Sequence, residues 1–393
     1  MTKLHENGMK ILKTLNDASF EAYFVGGYVR DTLLGLPTKD IDITTNARPE
    51  DIKALFKKVV PTGAAFGTMS VILDGRGFEI TTYRKETVYD NHRHPSSIDF
   101  ADTLEEDLKR RDFTINQLTM NHEGDIGDMF GGLRDLRKEI IRTIGDPEER
   151  FYEDALRMLR AFRFMARLDF SLEENTANAI WKHRALIEKL SIERIQEELF
   201  RLFDAPHSKP ALRSMVKTEV HKTLFGLEKG IEVLSETNIN YQKDVAFALL
   251  DCYGDLKNGP WRFSKKFMKT VKNIKHLHTQ TQDRPFTAMD IFNYGKETAL
   301  KANTLNRLFG MKDYTSDIDM LDESLPITEK KDLAINGHDI LKALPISDKK
   351  HISTILQKLL EDVVEKNIEN TRETLIKRAR EHLKLIERSH TNE

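Results

Sequence analysis

Asp40 and Asp42 stand two residues apart in the stretch KDIDIT. Residues i and i+2 of a strand share a face, so the alternation here predicts two carboxylates side by side on a strand with one wet face. Paired carboxylates on a rigid strand suit octahedral Mg²⁺, which completes its shell with water and phosphate oxygens. Glu79 in FEITT falls on a later predicted strand and is the candidate third carboxylate. Upstream, GGYVRD places Gly26 and Gly27 between an apolar strand and a helix start. Glycines let backbone amides approach phosphate oxygens near a helix N-terminus, and Arg30 adds a forked cation. Further on, EEDLKRRDFTINQL brings Arg110, Arg111, Asp112 and Asn116. Arginines suit a triphosphate. An aspartate and an asparagine can hydrogen-bond ribose hydroxyls. Each feature alone has a plainer reading: a chance DxD, an ordinary turn, a surface Arg–Asp pair. Together they predict a nucleoside-triphosphate site built on two metal ions. Neither a GxxxxGK[ST] loop nor a kinase motif set occurs.

A second constellation lies in GDPEERFYEDALRMLRAFRF, Gly145 to Phe164. Its periodicity predicts a helix with Asp154 and Arg157 three residues apart and Arg160 and Arg163 further along the same face. The plain reading is an i,i+3 salt bridge on a wet surface. The sharper one is that something flat, polar and anionic docks there.

The elements that must position these residues fall into two halves. Before about Pro147 the chain reads as strands and turns, with TMSVILDGRGFEITTYR as a hairpin around Asp74–Gly77. Beyond it, apolar residues recur at i, i+3, i+4 almost to the end. The fold class is therefore α+β: a head with a mixed or antiparallel β-sheet, followed by an extended all-α region. Turn-formers gather at Asp204–Pro206 and at Asp322–Thr328. A length of 393 residues exceeds one ordinary core. The charged fraction of 32% against 39% apolar predicts a soluble chain with enough core to fold. The single cysteine, Cys252, excludes a disulfide framework and fits a reducing, cytoplasmic setting. No apolar run is long enough for a membrane span. The net charge of −2 leaves the partner open. One stretch free of acids, Lys257 to Lys275, interleaves Lys265, Lys266 and Lys269 with Trp261, Phe263 and Phe267. It reads either as a nucleic-acid contact or as an amphipathic helix with solvated lysines and aromatics in the core.

GGYVRD with DID, RRDFTIN, EDALRMLRAFRF and SIERIQEEL follow one another in an order and spacing that resemble the class II tRNA nucleotidyltransferases, the bacterial CCA-adding enzymes of the polymerase β superfamily. The resemblance covers the first half closely; the second half rests on patterns such as INGHDIL. Gln117 stands where the family usually has alanine, next to the motif and not within it. The resemblance implies that Asp40 and Asp42 bind catalytic Mg²⁺, with Glu79 as third carboxylate. It implies that Gly27, Arg30 and Arg111 hold the triphosphate of ATP or CTP, and that Asp112 and Asn116 serve the ribose. Asp154 and Arg157 read the base, Glu153 orients the arginine, and Arg160 and Arg163 line the site. The implied organisation is a catalytic head (1–138), a helical neck with base recognition (139–205), a helical body (206–324) and a tRNA-binding tail (325–393). The implied partners are tRNA, CTP and ATP; a homodimer is compatible with this reading. The polar segment KETVYDNHRHPSSIDFADTLEED, with His92, Arg93, His94 and Pro95 in a row, reads either as a mobile element over the site or as an ordinary surface loop. The alternatives are a poly(A) polymerase with the same head, a catalytically silent RNA-binding protein, and a metal phosphohydrolase using His338–Asp339, for which no further ligand set is found.

Overall fold

The computed structural model describes residues 3–38, 40–63, 67–90, 94–254, 256–346 and 350–390. Helix α1 (Lys3–Asp17) is followed by strand β1 (Ala22–Val25), helix α2 (Gly27–Leu33), strand β2 (Asp42–Thr45) and helix α3 (Pro49–Leu55). Strands β3 (Val59–Gly63), β4 (Thr68–Leu73) and β5 (Arg76–Thr82) come next, then β6 (Arg84–Asp90) and β7 (His94–Phe100). Helix α4 (Leu104–Lys109) leads to strands β8 (Thr119–Met120) and β9 (Ile126–Gly127), helix α5 (Gly132–Arg137) and strand β10 (Ile140–Ile141). From there the first half of the chain is helical: α6 (Pro147–Glu153), α7 (Leu156–Leu168), a short strand β11 (Ser171–Leu172), α8 (Glu174–His183), α9 (Ile192–Phe203), α10 (Ser208–Lys217) and α11 (Glu228–Glu236).

Seven strands form one sheet in the order β3-β4-β5-β2-β1-β8-β9. The β2–β5 pair is parallel and sets Asp42 opposite Glu79. The other neighbours run antiparallel, so the sheet is mixed, as expected. The β4–β5 hairpin turns on Asp74 and Gly75, both with positive φ, at 51° and 76°. That is the two-residue turn that matches strand twist. Phe24, Ile43, Met69 and Ile80 are buried along the central strands, and α1 adds Leu4, Ile11, Leu12 and Leu15 from its apolar stripe.

Most of the polar segment between Arg84 and Phe100 forms a second hairpin. Strands β6 and β7 pair antiparallel from Arg84–Phe100 to Asp90–His94. His92 and Arg93 lie outside the described residues.

By packing, the chain divides into two compact units: Met1–Glu236 with Gly254–Arg262, and Thr237–Tyr253 with Phe263–Glu393. Among the described residues the regular elements of the second unit are all helices. It contains α12 (Lys243–Tyr253), α13 (Lys265–Gln280), α14 (Ala288–Tyr294), α15 (Lys296–Leu308), α16 (Thr315–Glu323), α17 (Gly337–Ala343), α18 (Lys350–Val364) and α19 (Arg372–His390). Its core gathers Leu277, Phe286, Ile291 and Ala302, and, further on, Ile340, Leu359, Val363 and Leu375. Among the described residues no helix is long and apolar enough to cross a membrane.

Candidate active site

The site grows from the end of β1. Gly26 adopts φ 73°, ψ −135° and turns the chain from the strand into α2, a conformation that only glycine takes cheaply. A Cβ there would lie 3.5 Å from Arg111 Nη1 and 3.7 Å from Asp42 Oδ2. The bare glycine therefore faces the place where the leading acid and the leading cation converge. Because β1 ends at Val25, Asp42 is the first residue of β2 with partners on both sides, Val25 and Glu79. This corrects the expectation of two aspartates on one strand: Asp40 lies just ahead of β2. Asp40, Asp42 and Glu79 are all exposed. The carboxyl of Asp42 is raised above its ordinary pKa, first by the protein crowded around it and then by the charges of Glu79 and Asp40, against the opposing pull of Arg111. Among the described residues no three His, Cys, Asp or Glu converge tightly enough to hold a metal ion by themselves.

Beside this acidic edge opens a cavity of about 400 Å³. Its lining includes eight arginines (30, 110, 111, 157, 160, 163, 167 and 194) against three carboxylates, Asp42, Asp112 and Asp154. Gly26, Gly27, Asn116 and Phe164 complete the part that matters here. So many cations share one cavity because most are braced from behind. Asp31 takes Arg30 at 2.6 Å and also pairs with Arg167. Asp107 takes Arg110 and Arg111, at 2.7 and 3.3 Å. Glu198 faces Arg163 at 2.7 Å. The Phe164 ring lies under the guanidinium carbons of Arg30, Arg160 and Arg163, at 5.0, 5.5 and 4.3 Å, within range of cation–π attraction. Arg163 still feels its setting: burial first, then repulsion by Arg160, lower its pKa to about 10.

Asp112 is the most tightly held acid of the group. Its Oδ1 accepts from the Phe113 backbone N–H at 2.8 Å and from Asn116 at 2.9 Å, and its Oδ2 accepts from Arg160 Nε at 2.8 Å. Asn116 in turn accepts from Arg30 at 2.6 Å. Burial works to raise the carboxyl's pKa, but the charge of Arg160 and these hydrogen bonds hold it well below the usual range. A carboxyl depressed in the folded state adds stability that is present above its unfolded pKa, about 3.9, and drains as the pH falls through its lower folded value. Asp112→Asn is expected to cost on the order of 3 kcal/mol at neutral pH by leaving Arg160 unpaired. The variant should then lose less of its remaining stability than the parent on acidification. Thermal melts between neutral and acid pH check this, and parallel losses in both proteins would contradict it.

The stretch read as one continuous helix is two. Helix α6 stops at Glu153, Asp154 is extended (φ −140°, ψ 101°), and α7 starts at Leu156. The Asp154 carboxylate accepts from the Leu156 N–H at 3.1 Å, as an N-capping aspartate does. It also pairs with Arg194 from α9 at 3.1 Å. Arg157 has a different acid: its Nη1 donates to Glu153 at 2.8 Å and to the Arg150 carbonyl at 3.0 Å, while its Nη2 donates to the Arg110 carbonyl at 3.0 Å. Ion pairs do form along this stretch, but the expected Asp154–Arg157 pairing is replaced by Glu153–Arg157 and Asp154–Arg194.

The structure thus brings Gly27, Arg30, Asp42, Arg111, Asp112, Asn116, Asp154, Arg157, Arg160 and Arg163 to one cavity. Glu153 stands behind it on Arg157. Asp40 and Glu79 flank Asp42 outside the lining. Lys265, Lys266 and Lys269 are exposed on the first turns of α13, in the second unit. Their aromatic neighbours face inward, which corrects the stacking alternative. Phe263 and Phe267 pack edge-on against Phe247, at 5.1 and 5.5 Å, and Trp261 is buried. His338–Asp339 forms no metal pair: Asp339 accepts from the Asn336 N–H at 3.1 Å in a capping box and binds Arg372 at 2.8 Å. Sequence reasoning missed Arg194, Phe164 and Arg167 in the lining. Arg194 and Phe164 lie inside stretches that the motifs already marked; Arg167 follows one turn later on α7.

An acidic strand edge beside an arginine-lined cavity on a mixed sheet is the arrangement of a nucleotidyltransferase. Residues 22–142 match the "Poly A polymerase head domain", residues 169–234 the "Probable RNA and SrmB-binding site of polymerase A", and residues 256–379 a second domain of tRNA nucleotidyltransferases. The chain is 40% identical over 392 residues to the CCA-adding enzyme of Ligilactobacillus salivarius, covering 96% of each. It is 37% identical over 374 residues to a CCA-adding enzyme of Streptococcus pyogenes, covering 92% of each. Among solved structures it resembles the Bacillus stearothermophilus CCA-adding enzyme in complex with CTP, with a TM-score of 0.86 at 32% identity over 99% of this chain and 100% of that one. The chain belongs to the family of the CCA-adding enzymes. Enzymes of this family are generally metal-dependent.

Proposed function

We propose that this protein adds C, C and A to the 3′ end of tRNA from CTP and ATP, in the cytoplasm, without a nucleic-acid template. The observation that carries the reading is that Asp42, Arg111, Asp154 and Arg157 line a single cavity. The tRNA 3′-hydroxyl attacks the α-phosphate and pyrophosphate leaves. Gly27, Arg30 and Arg111 hold the triphosphate, Asp112 and Asn116 keep the ribose side of the cavity polar, and Arg160 and Arg163 supply positive charge along its wall. Asp40 and Asp42, with Glu79 in register beside Asp42, would hold Mg²⁺. The donor types fit, because exposed carboxylates with Glu79 in register beside Asp42 are hard oxygen ligands that suit a hard cation whose shell is completed by water and phosphate oxygens. When bound, the ion supplies charge stabilisation to the attacking and leaving oxygens.

Base choice follows from hydrogen-bond inventories. Cytosine and adenine each present an amine, a donor, beside an acceptor ring nitrogen. Uracil and guanine present a carbonyl beside a ring N–H. A carboxylate only accepts and a guanidinium only donates, so Asp154 and Arg157 complement the first pair and oppose the second. Glu153 steadies the arginine. Catalysis is assigned to the head (1–138), base reading to the neck (139–205), and tRNA binding to the body (206–324) and tail (325–393).

Incubation with tRNA lacking its CCA end, with each labelled triphosphate alone and then mixed, tests the function. CTP alone should extend the tRNA by two residues, and the terminal A should require prior C addition. Extension with ATP alone while CTP is ignored would make the protein a poly(A) polymerase. The exposed lysines of α13 carry a second test. Reversing Lys265, Lys266 and Lys269 to glutamate should weaken tRNA binding and flatten its logarithmic salt dependence by roughly one unit per lost phosphate contact. An unchanged slope across a salt series would remove them from the tRNA surface.

A further inference from the structure

Asp107 falls in EEDLKRRDFTINQL, three residues ahead of Arg110, and does not line the cavity, yet its carboxylate is fully buried. It sits on the short helix α4 and gathers donors from four directions. Thr44 of β2, two residues after Asp42, donates at 3.0 Å. The backbone N–H of Arg84, at the base of the β6–β7 hairpin, points at it from 3.4 Å. Arg110 donates through Nε at 2.9 Å and Nη2 at 2.7 Å, and Arg111 through Nη2 at 3.3 Å. The next residue back, Glu106, holds Lys85 of the same hairpin at 2.7 Å.

The main chain of the two arginines faces the other way. The Arg110 carbonyl accepts from Arg157 Nη2 at 3.0 Å and from Arg150 Nη2 at 2.5 Å, and the Arg111 carbonyl accepts from Arg150 Nη2 at 2.9 Å. The side chains of Arg110 and Arg111 are thus anchored on Asp107, while their carbonyls anchor the arginines of the α6–α7 break. We propose that Asp107 is a positioning residue that sets the Arg110–Arg111 main chain, and through it the orientation of Arg157 toward the incoming base. The same carboxylate ties this main chain to β2 and to the hairpin, so the acidic edge and the base-reading arginine share one fixed point. A carboxylate buried this deeply is retained only when its donors are in place. Here the opposing charges of Arg110 and Arg111, with hydrogen bonds from Arg110 and Thr44, keep it ionised against its burial.

The inference rests on the base-reading role given above to Arg157, and the test separates the two. Steady-state kcat and KM for CTP and UTP are measured on the full-length Asp107→Asn, Arg157→Ala and doubly substituted proteins, with thermal melts of each. Asp107→Asn should narrow the CTP-over-UTP ratio of kcat/KM by roughly tenfold. In the Arg157→Ala background it should narrow it no further, because both changes act through one side chain. A purely structural role would lower the melting temperature and leave the ratio intact at a temperature where the protein is folded, which would overturn the inference. So would an undiminished effect in the Arg157→Ala background. If Arg157→Ala itself leaves the ratio unchanged, the base-reading role fails, and the positioning role with it. Should Asp107→Asn not fold, Thr44→Val decides: it removes one tether of the carboxylate at nearly constant volume. About threefold narrowing is expected, and an unchanged ratio overturns the inference.

Discussion

Asp42→Asn is expected to abolish incorporation of both C and A, with kcat/KM falling by about a thousandfold or more, while tRNA binding and folding persist. The size of the loss follows from removing a charge at the acidic edge where the proposed Mg²⁺ lowers the barrier; a thousandfold corresponds to about 4 kcal/mol. The persistence of folding follows from the surroundings of Asp42. It is exposed at the start of β2, asparagine has almost the same shape, and the carboxylate is held above its usual pKa by its surroundings and by Glu79 and Asp40. Its negative charge is therefore a burden on the ligand-free protein, and the variant should melt at the parent temperature or slightly above it. Activity assays with each triphosphate, paired with a melt and a tRNA-binding measurement, check the three parts together. Retained incorporation would contradict the role given to Asp42. Lost tRNA binding would mean that the residue serves the fold or the nucleic acid instead.

Asp154→Ala is expected to erode base choice. Two unpaired polar groups, each costing about 1–3 kcal/mol when buried, give the parent roughly a hundredfold preference for CTP over UTP or better. Removing the acceptor should bring that preference to within roughly tenfold. Turnover should fall as well, for a reason visible only in three dimensions. The same carboxylate caps the Leu156 N–H and holds Arg194, so its loss loosens the break between α6 and α7. Competition between labelled CTP and UTP measures the ratio. An unchanged ratio would count against reading of the base by this residue, even if turnover dropped.

Much of the site was legible because its chemistry is carried by short local motifs: GGYVRD, DID, RRDFTIN and EDALRMLRAFRF each keep several lining residues within a few positions. The sheet was legible at β4 and β5, where a short turn sequence separates two strand-like runs. Two features were not. The break at Asp154 is masked because Phe151, Ala155, Met158 and Leu159 keep a helical rhythm across it. The capping bond and the ion pair to Arg194, forty residues later, make the break visible. The β6–β7 hairpin was hidden for the opposite reason: KETVYD and HPSSIDF lack the apolar alternation of a half-buried strand, and the backbone ladder forms all the same. The braces behind the arginines were also beyond reach. Asp31 meets Arg167 across 136 residues of sequence, a pairing that only the folded chain creates.

The most direct test of the account is a crystal structure of this protein with CTP bound in the arginine-lined cavity. The cytosine amine should lie within hydrogen-bonding distance of the Asp154 carboxylate, with the ring acceptor facing the Arg157 guanidinium. A cytosine whose polar edge turns away from both side chains would contradict it.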